Sequence, residues 1–160
     1  MSQHPYLKYL DGVDLLTTLE QTPARIAQIV KAWPDTAFER SHAPGKWTAR
    51  QVLAHLAHAE MVFANRLRFG VAEDGYVIQP FDQDAWMAAE PAADGRASLA
   101  AYLALRQMNL ALCRSLTPEQ RGRAFTHPEH GAVTVDWVMI FFAGHERHHL
   151  PQLEAIGRSS

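Results

Sequence analysis

His145 and His149 stand four residues apart near the C-terminal end, in the stretch "GHERHHLPQ" (144–152). On a helix that spacing puts both side chains on one face, one turn apart. They fall at the centre of a face formed by Val138, Phe141, Phe142, Leu153 and Ile156, which reads as the interior of a helical bundle. Two imidazoles buried side by side are costly without partners, and one shared metal ion satisfies both as neutral ligands. The competing reading is a pair of core histidines bonded to backbone or carboxylates. His55 lies on the edge of the apolar face of an upstream helix, beside Val52 and Ala59, where a bundle can bring it opposite the pair. Three histidines with a fourth position open is the ligand count of a catalytic-type metal site. His58 and His148 are the alternatives, each near the boundary of its apolar face, either supporting a ligand or facing solvent.

The same stretch spells H-E-x-x-H, the signature of zinc proteases. The rest of such a site is missing. Only Glu154 offers a carboxylate after His149, too close on the same helix to turn back as a ligand, and Gln152 and Ala155 stand where the longer motif has Gly and His. Glu146 also falls on the flank of the His145/His149 face, and Pro151 interrupts the helix ladder by removing an N–H. The working unit is H-x-x-x-H rather than a protease motif.

Arg106 is a separate oddity, set in the apolar stripe of Leu99, Leu103, Leu110 and Cys113. An arginine there needs a carboxylate or an anionic ligand, and Glu60 and Glu146 are the candidate partners. Snorkelling to the surface is the alternative. His127 and His130, in "THPEHGAVT" (126–134), read as exposed loop histidines, with the mouth of a pocket as the alternative; His4 and His42 carry no signal.

The elements that must position these residues are helical almost throughout. A short helical piece at 14–20 leads into "TPARIAQIVKAW", where Thr22 can cap a helix and Pro23 fits its first turn. Residues 34–46 read as a loop. Thr48 and Gln51 form a capping box ahead of a helix with Val52, Leu56, Ala59 and Phe63 on one face, ended by Gly70. A long Pro- and Gly-punctuated connection (70–94) follows, with a short helix after Asp82; connections of that length often pack over a site. The third long helix runs from Asp94 to Leu116, and Thr117-Pro118-Glu119 begins a short turn. Thr134 caps the last helix and Gly157 stops it. Strand signals are confined to "YVI" (76–78) and "AVTV" (132–135). The expectation is an all-α single domain over 1–160, a four-helix bundle with a long crossover between its second and third helices.

Composition agrees with a folded domain: 160 residues, 48% apolar and 20% charged. The net charge of −2 and the lack of any basic block argue against a nucleic-acid partner. No apolar run approaches the length of a membrane span, and the N-terminus lacks the pattern of a signal peptide. One cysteine, Cys113, rules out an intramolecular disulfide and a C-x-x-C site, and its helical position predicts a buried, inert thiol. A cytoplasmic location is expected. Histidine is the departure: nine in all, five of them in two tight groups.

Two segments resemble the DinB-like (damage-inducible) superfamily of metal-binding four-helix bundles. One is "APGKWTARQVLAHLAHAE" (43–60), a Pro-Gly-Lys-Trp entry, a helix and a first histidine; the other is "HPEHGAVTVDWVMIFFAGHERHHLPQL" (127–153), a His-Pro-x-x-Gly loop and a closing H-x-x-x-H helix. The resemblance covers nearly the whole chain. It implies His55, His145 and His149 as metal ligands, with Glu60 and Gln152 at recurrent polar positions near the site. His58 stands where many relatives have Asp, and Pro151 replaces a residue more suited to a helix. It also implies one divalent ion, zinc or nickel, and homodimers. Similar proteins include thiol S-transferases using bacillithiol or mycothiol, a mycothiol-dependent maleylpyruvate isomerase, and proteins labelled metal-dependent hydrolases.

Three functions follow as expectations. The first is a metal-dependent transferase that activates a low-molecular-weight thiol for attack on a small electrophile, with Arg66, Arg68, Arg106 and Lys46 as possible partners of the thiol's anionic groups. The second is hydrolysis at the same site, with Glu60 or Glu146 as base. The third is a non-catalytic metal-binding stress protein whose ion is structural.

Overall fold

The computed structural model describes residues 4–158. Four long helices carry the fold: α1 (Leu15–Lys31), α2 (Ala49–Ala72), α4 (Gly95–Ser115) and α6 (Val135–Arg158). Two short ones, α3 (Gln83–Ala89) and α5 (Pro118–Arg121), sit in the connections. Helix α2 packs on α4 and α6, and α1 packs on α6 and α4, so the four close into a ring. The expected bundle is therefore present, with the long crossover between α2 and α4.

Side-chain caps set several helix starts. The Asp14 carboxylate accepts from Thr17 N–H at 2.8 Å, and Asp94 accepts from Ala97 N–H at 2.7 Å. Asp82 does the same for α3, and the Gln51 side chain accepts from Thr48 N–H at 2.9 Å. Thr134 Oγ1 accepts from Trp137 N–H at 3.1 Å at the start of α6.

Three boundaries differ from expectation. Helix α1 starts at Leu15, capped by Asp14, and runs unbroken through Pro23 instead of restarting at Thr22. A mid-helix proline removes the N–H that would bond the carbonyl four residues back, here Leu19. That carbonyl accepts from Arg106 Nη1 at 3.2 Å instead, so the defect is compensated from across the bundle. Gly70 lies inside α2 and Gly157 inside α6 rather than ending them. Each is a close-packing position: a Cβ on Gly70 would meet the Phe125 ring at 2.5 Å, and one on Gly157 would meet Trp33 Nε1 at 2.8 Å.

The all-α expectation also needs one amendment. Residues 126–134, expected as a loop with a short strand signal at 132–135, belong to a small antiparallel hairpin of β1 (Ala124–His127) and β2 (Gly131–Thr134), with His127 opposite Gly131. Gly131 has φ +73°, which a residue with a side chain rarely adopts. The crossover segment 76–78 pairs beside β1: Ile78 N–H donates to Thr126 O at 2.9 Å, and Thr126 N–H donates to Tyr76 O at 3.0 Å. The crossover is thereby tied to the hairpin.

The core forms two apolar clusters. One contains Leu19, Phe63, Leu67, Leu110, Met139 and Phe142; the other contains Ile26, Val30, Leu53, Tyr102, Leu153 and Ile156. On three of the four long helices the change from one cluster to the other falls at charged or strongly polar positions. On α2 these are His55, His58 and Glu60, on α4 Arg106 and Asn109, and on α6 His145, Glu146 and His149. All of these side chains are buried, so a polar layer crosses the middle of the bundle.

Candidate metal centre

Three imidazoles from two helices converge in this layer. His145 Nε2 lies 2.9 Å from His55 Nε2 and 3.1 Å from His149 Nε2. One ring nitrogen from each of the three lies within 4.8 Å of the others, and all three residues are buried. Cis ligands about 2.0–2.1 Å from a divalent ion stand roughly 3.0–3.4 Å apart, so these separations suit a metal site. His149 Nδ1 lies 3.0 Å from Gln152 Oε1, an acceptor, which puts the proton on Nδ1 and leaves Nε2 with its lone pair towards the cluster. The Nδ1 atoms of His55 and His145 are buried without a hydrogen-bond partner among the described residues.

Burial and mutual repulsion keep the three rings neutral. Burial, then the neighbouring His149, His58 and His148, pulls His55 down to about 3. Burial pulls His149 down to about 4, and His145 falls well below its usual 6.5 for the same reason, with His149 and His55 adding to it. Neutral imidazole is the form that binds a metal, so no proton has to be displaced near neutral pH. The sign of the pH effect follows. A depressed base binds fewer protons folded than unfolded, so stability is present above about 6.5 and is lost as pH falls from there towards 4. For the metal-free protein, each of these histidines is expected to cost up to about 2 kcal/mol at pH 5 relative to pH 7. Urea midpoints at the two pH values measure this, and equal midpoints would contradict it.

Around the rings the elements form a collar. Trp47, at the entry to α2, stands 5.0 Å from the His55 ring, and Phe81 of the crossover stacks over the same ring at 6.1 Å and 7°. The Tyr6 ring meets His145 edge-on at 5.5 Å. Gly144 permits that approach, because a Cβ there would lie 2.4 Å from Tyr6 O. No pattern in the sequence marks Tyr6 or Phe81; their places depend on contacts with distant residues.

Two cavities meet at the cluster. A larger one of about 370 Å³ is bordered by His42, Lys46, Trp47, His149 and Gln152, and a smaller one of about 150 Å³ by His55, Arg66, Phe81, His127 and His130. Tyr6, Gln83 and His145 border both. His127 is buried rather than exposed, because it lies in β1 against this cavity, and its ring is 4.6 Å from that of His130. His58 points elsewhere: it is buried and pairs with Glu90 at 3.1 Å, fastening the end of α3 to α2. His148 is half-buried and bonds the Tyr9 hydroxyl at 2.8 Å. His4, which carried no signal, bonds Trp137 O at 3.1 Å.

Arg106 is buried against both Glu60 and Glu146, and Asn109 Nδ2 donates to Glu60 Oε2 at 2.9 Å. Burial opposes its charge, but the two carboxylates outweigh it and raise the guanidinium's pKa further. Burial pushes the Glu146 carboxyl up, and the ion pair with Arg106 opposes that rise. Neither carboxylate borders either cavity. Cys113 is buried in the first apolar cluster, and burial pushes its thiol up to about 11.

Comparison with known proteins gives one consistent family. The DinB superfamily model matches residues 18–153. The protein named "Putative metal-dependent hydrolase YfiT" of Bacillus subtilis is 31% identical over 146 residues, 89% of this chain and 82% of its own length. A protein of Oceanobacillus iheyensis with a name of the same kind is 29% identical over 142 residues, 88% of this chain and 83% of its own. The solved structure of YfiT, called a "probable metal-dependent hydrolase with an unusual four-helix bundle topology", matches with a TM-score of 0.81 over 90% of this chain and 84% of that one. The chain belongs to the DinB superfamily.

Proposed function

We propose that this protein is a metal-dependent enzyme in which His55, His145 and His149 hold one divalent ion, zinc or nickel, and that it transfers a small thiol to an electrophile. The observation that carries the reading is the meeting of two separate cavities at His145, beside three neutral imidazoles. Two compartments around one reactive centre can hold the two molecules of a transfer reaction. When bound, the ion supplies Lewis acidity that lowers the pKa of a thiol at its open position.

The chain's own residues favour an external nucleophile. Cys113 lines neither cavity, and its raised pKa keeps it a thiol. The imidazole set leaves the whole charge of the ion to its ligand. Tyr6, Phe81 and Trp47 pack against the rings, and the three histidines are buried, which strengthens electrostatic effects at the centre.

Hydrolysis is the second reading, favoured by the names of the relatives. It needs a proton acceptor beside the ion's open position. Glu60 and Glu146 are unsuited to that role, since Arg106 engages both and neither reaches a cavity. His130, which does border the smaller cavity, is better placed.

A turnover screen separates the readings. Metal-loaded protein is incubated with an alkylating electrophile and with esters and amides, each with and without bacillithiol, mycothiol or cysteine. Thiol-dependent consumption of the electrophile, abolished in His55→Ala, is expected. Ester or amide cleavage without thiol would replace the transferase reading by the hydrolase, and no turnover in a fully metallated protein would sink both.

A further inference from the structure

Arg66 stands out from the other buried arginine. Arg106 has two carboxylate partners, whereas Arg66, 6% exposed, has no ion pair among the described residues. Among the described residues its one hydrogen bond runs from Nη2 to Gln79 O at 3.2 Å, and its Nε is buried without a partner. A buried guanidinium with an unused donor is costly unless something anionic completes it. Arg66 borders the smaller cavity, next to His55 and His145.

The rest of that cavity fits the same ligand. His127 Nδ1 accepts from Glu129 N–H at 3.1 Å, so a neutral His127 carries its proton on Nε2 and is a second donor. Burial, and then the charge of Arg66, keep His127 neutral. Arg66 is therefore the permanent cation of the cavity, and Glu129 on its exposed rim is the one anion. One positive charge and a planar fork of donors match a monoanionic carboxylate better than a phosphate dianion. The volume of about 150 Å³ suits a carboxylate on a short chain.

We propose that Arg66 and His127 form a carboxylate-binding subsite beside the three histidines, so that one molecule reacting at the centre carries a carboxylate in the smaller cavity. This deepens the enzymatic reading above and rests on it for the reaction at the centre. The subsite itself does not require the metal. Arg68 and Lys46 play no part in it: Arg68 bonds Asn109 Oδ1 at 2.9 Å, and Lys46 borders the larger cavity.

The test uses the full-length ¹⁵N-labelled protein, metal-free and zinc-loaded in parallel. The probe is propionate, with propionamide as its uncharged counterpart and inorganic phosphate as a competing anion. The readout is the Arg66 Nε–H resonance, assigned by its loss in Arg66→Lys. Propionate is expected to shift it saturably in both forms, and propionamide to bind at least about fivefold more weakly, as befits a charge-assisted contact. In Arg66→Met, checked for an unchanged melting transition, the propionate-induced shifts of the His127, Glu129 and His130 amides are expected to vanish. His127→Gln, which keeps a donor, is expected to retain part of them. An equal response to propionamide, no saturable response, persistence in Arg66→Met, or tighter binding of phosphate would each overturn the carboxylate subsite. Failure of zinc uptake with the metal-free response intact would instead remove the metal reading alone.

Discussion

His145→Ala is expected to abolish metal uptake and turnover together. Among the three imidazoles, His145 is the one whose Nε2 lies close to both others, at 2.9 and 3.1 Å. Its loss leaves two donors, and a two-imidazole site cannot supply the ligand count of a tight site for a divalent ion. Losing only an outer partner of a ligand typically costs about 10–100-fold in affinity, so loss of the central ligand is expected to cost more than about 100-fold. His148→Ala is the control. His148 is half-buried, three residues along the same helix, and its Nδ1 bonds the Tyr9 hydroxyl at 2.8 Å instead of joining the cluster. That variant is expected to keep one ion per chain and its turnover. Elemental analysis of both purified variants decides the matter: an ion retained at full stoichiometry in His145→Ala would sink the proposed ligand set.

Much of this arrangement was legible in the sequence, and for a definable reason. Residues within one helix are related by a fixed period, so His145 and His149 could be placed on one apolar face from spacing alone. The Arg106 anomaly was legible in the same way, because a charge inside an apolar stripe demands a partner. What escaped depends on long-range contact. Pro23 resembles a first-turn residue locally, and only the Arg106 bond to Leu19 O explains its place mid-helix. Gly70 and Gly157 look like helix stops, yet each is there because an aromatic side chain presses on the backbone. The hairpin strands are four residues each, too short for alternation to speak, so β1 and its buried His127 were hidden in an apparent loop. Tyr6 reaches His145 only because Gly144 lacks a Cβ, a relation between positions far apart in the chain.

The polar layer behind the histidines is expected to be as important to the centre as the ligands. Arg106 joins α4 to Glu60 on α2 and Glu146 on α6, and to the carbonyl that Pro23 leaves free on α1, so one side chain touches all four helices of the bundle. Arg106→Met removes the cation and leaves carboxylates buried without it, which typically costs about 3–5 kcal/mol. Against a domain stability of about 5–15 kcal/mol, that is a large fraction. Arg106→Lys is expected to recover only part, since one ammonium cannot span two carboxylates and a carbonyl as a planar fork does. The combination of Arg106→Met with Glu60→Gln and Glu146→Gln is expected to restore much of the loss, because it removes the unpaired charge as well as its partner. Urea midpoints of the four proteins give the comparison. The metal centre supplies a second readout. Glu146 adjoins His145 in sequence, and Glu60 lies just over one turn from His55. The layer therefore fixes α2 against α6 at the level where the three imidazoles meet. Arg106→Met is expected to weaken zinc binding although it touches no ligand, with the charge-neutral triple variant recovering stability more fully than affinity. A single variant within about 1 kcal/mol of the parent would mean that water or rearrangement reaches the buried carboxylates, and that the layer does not position the histidines.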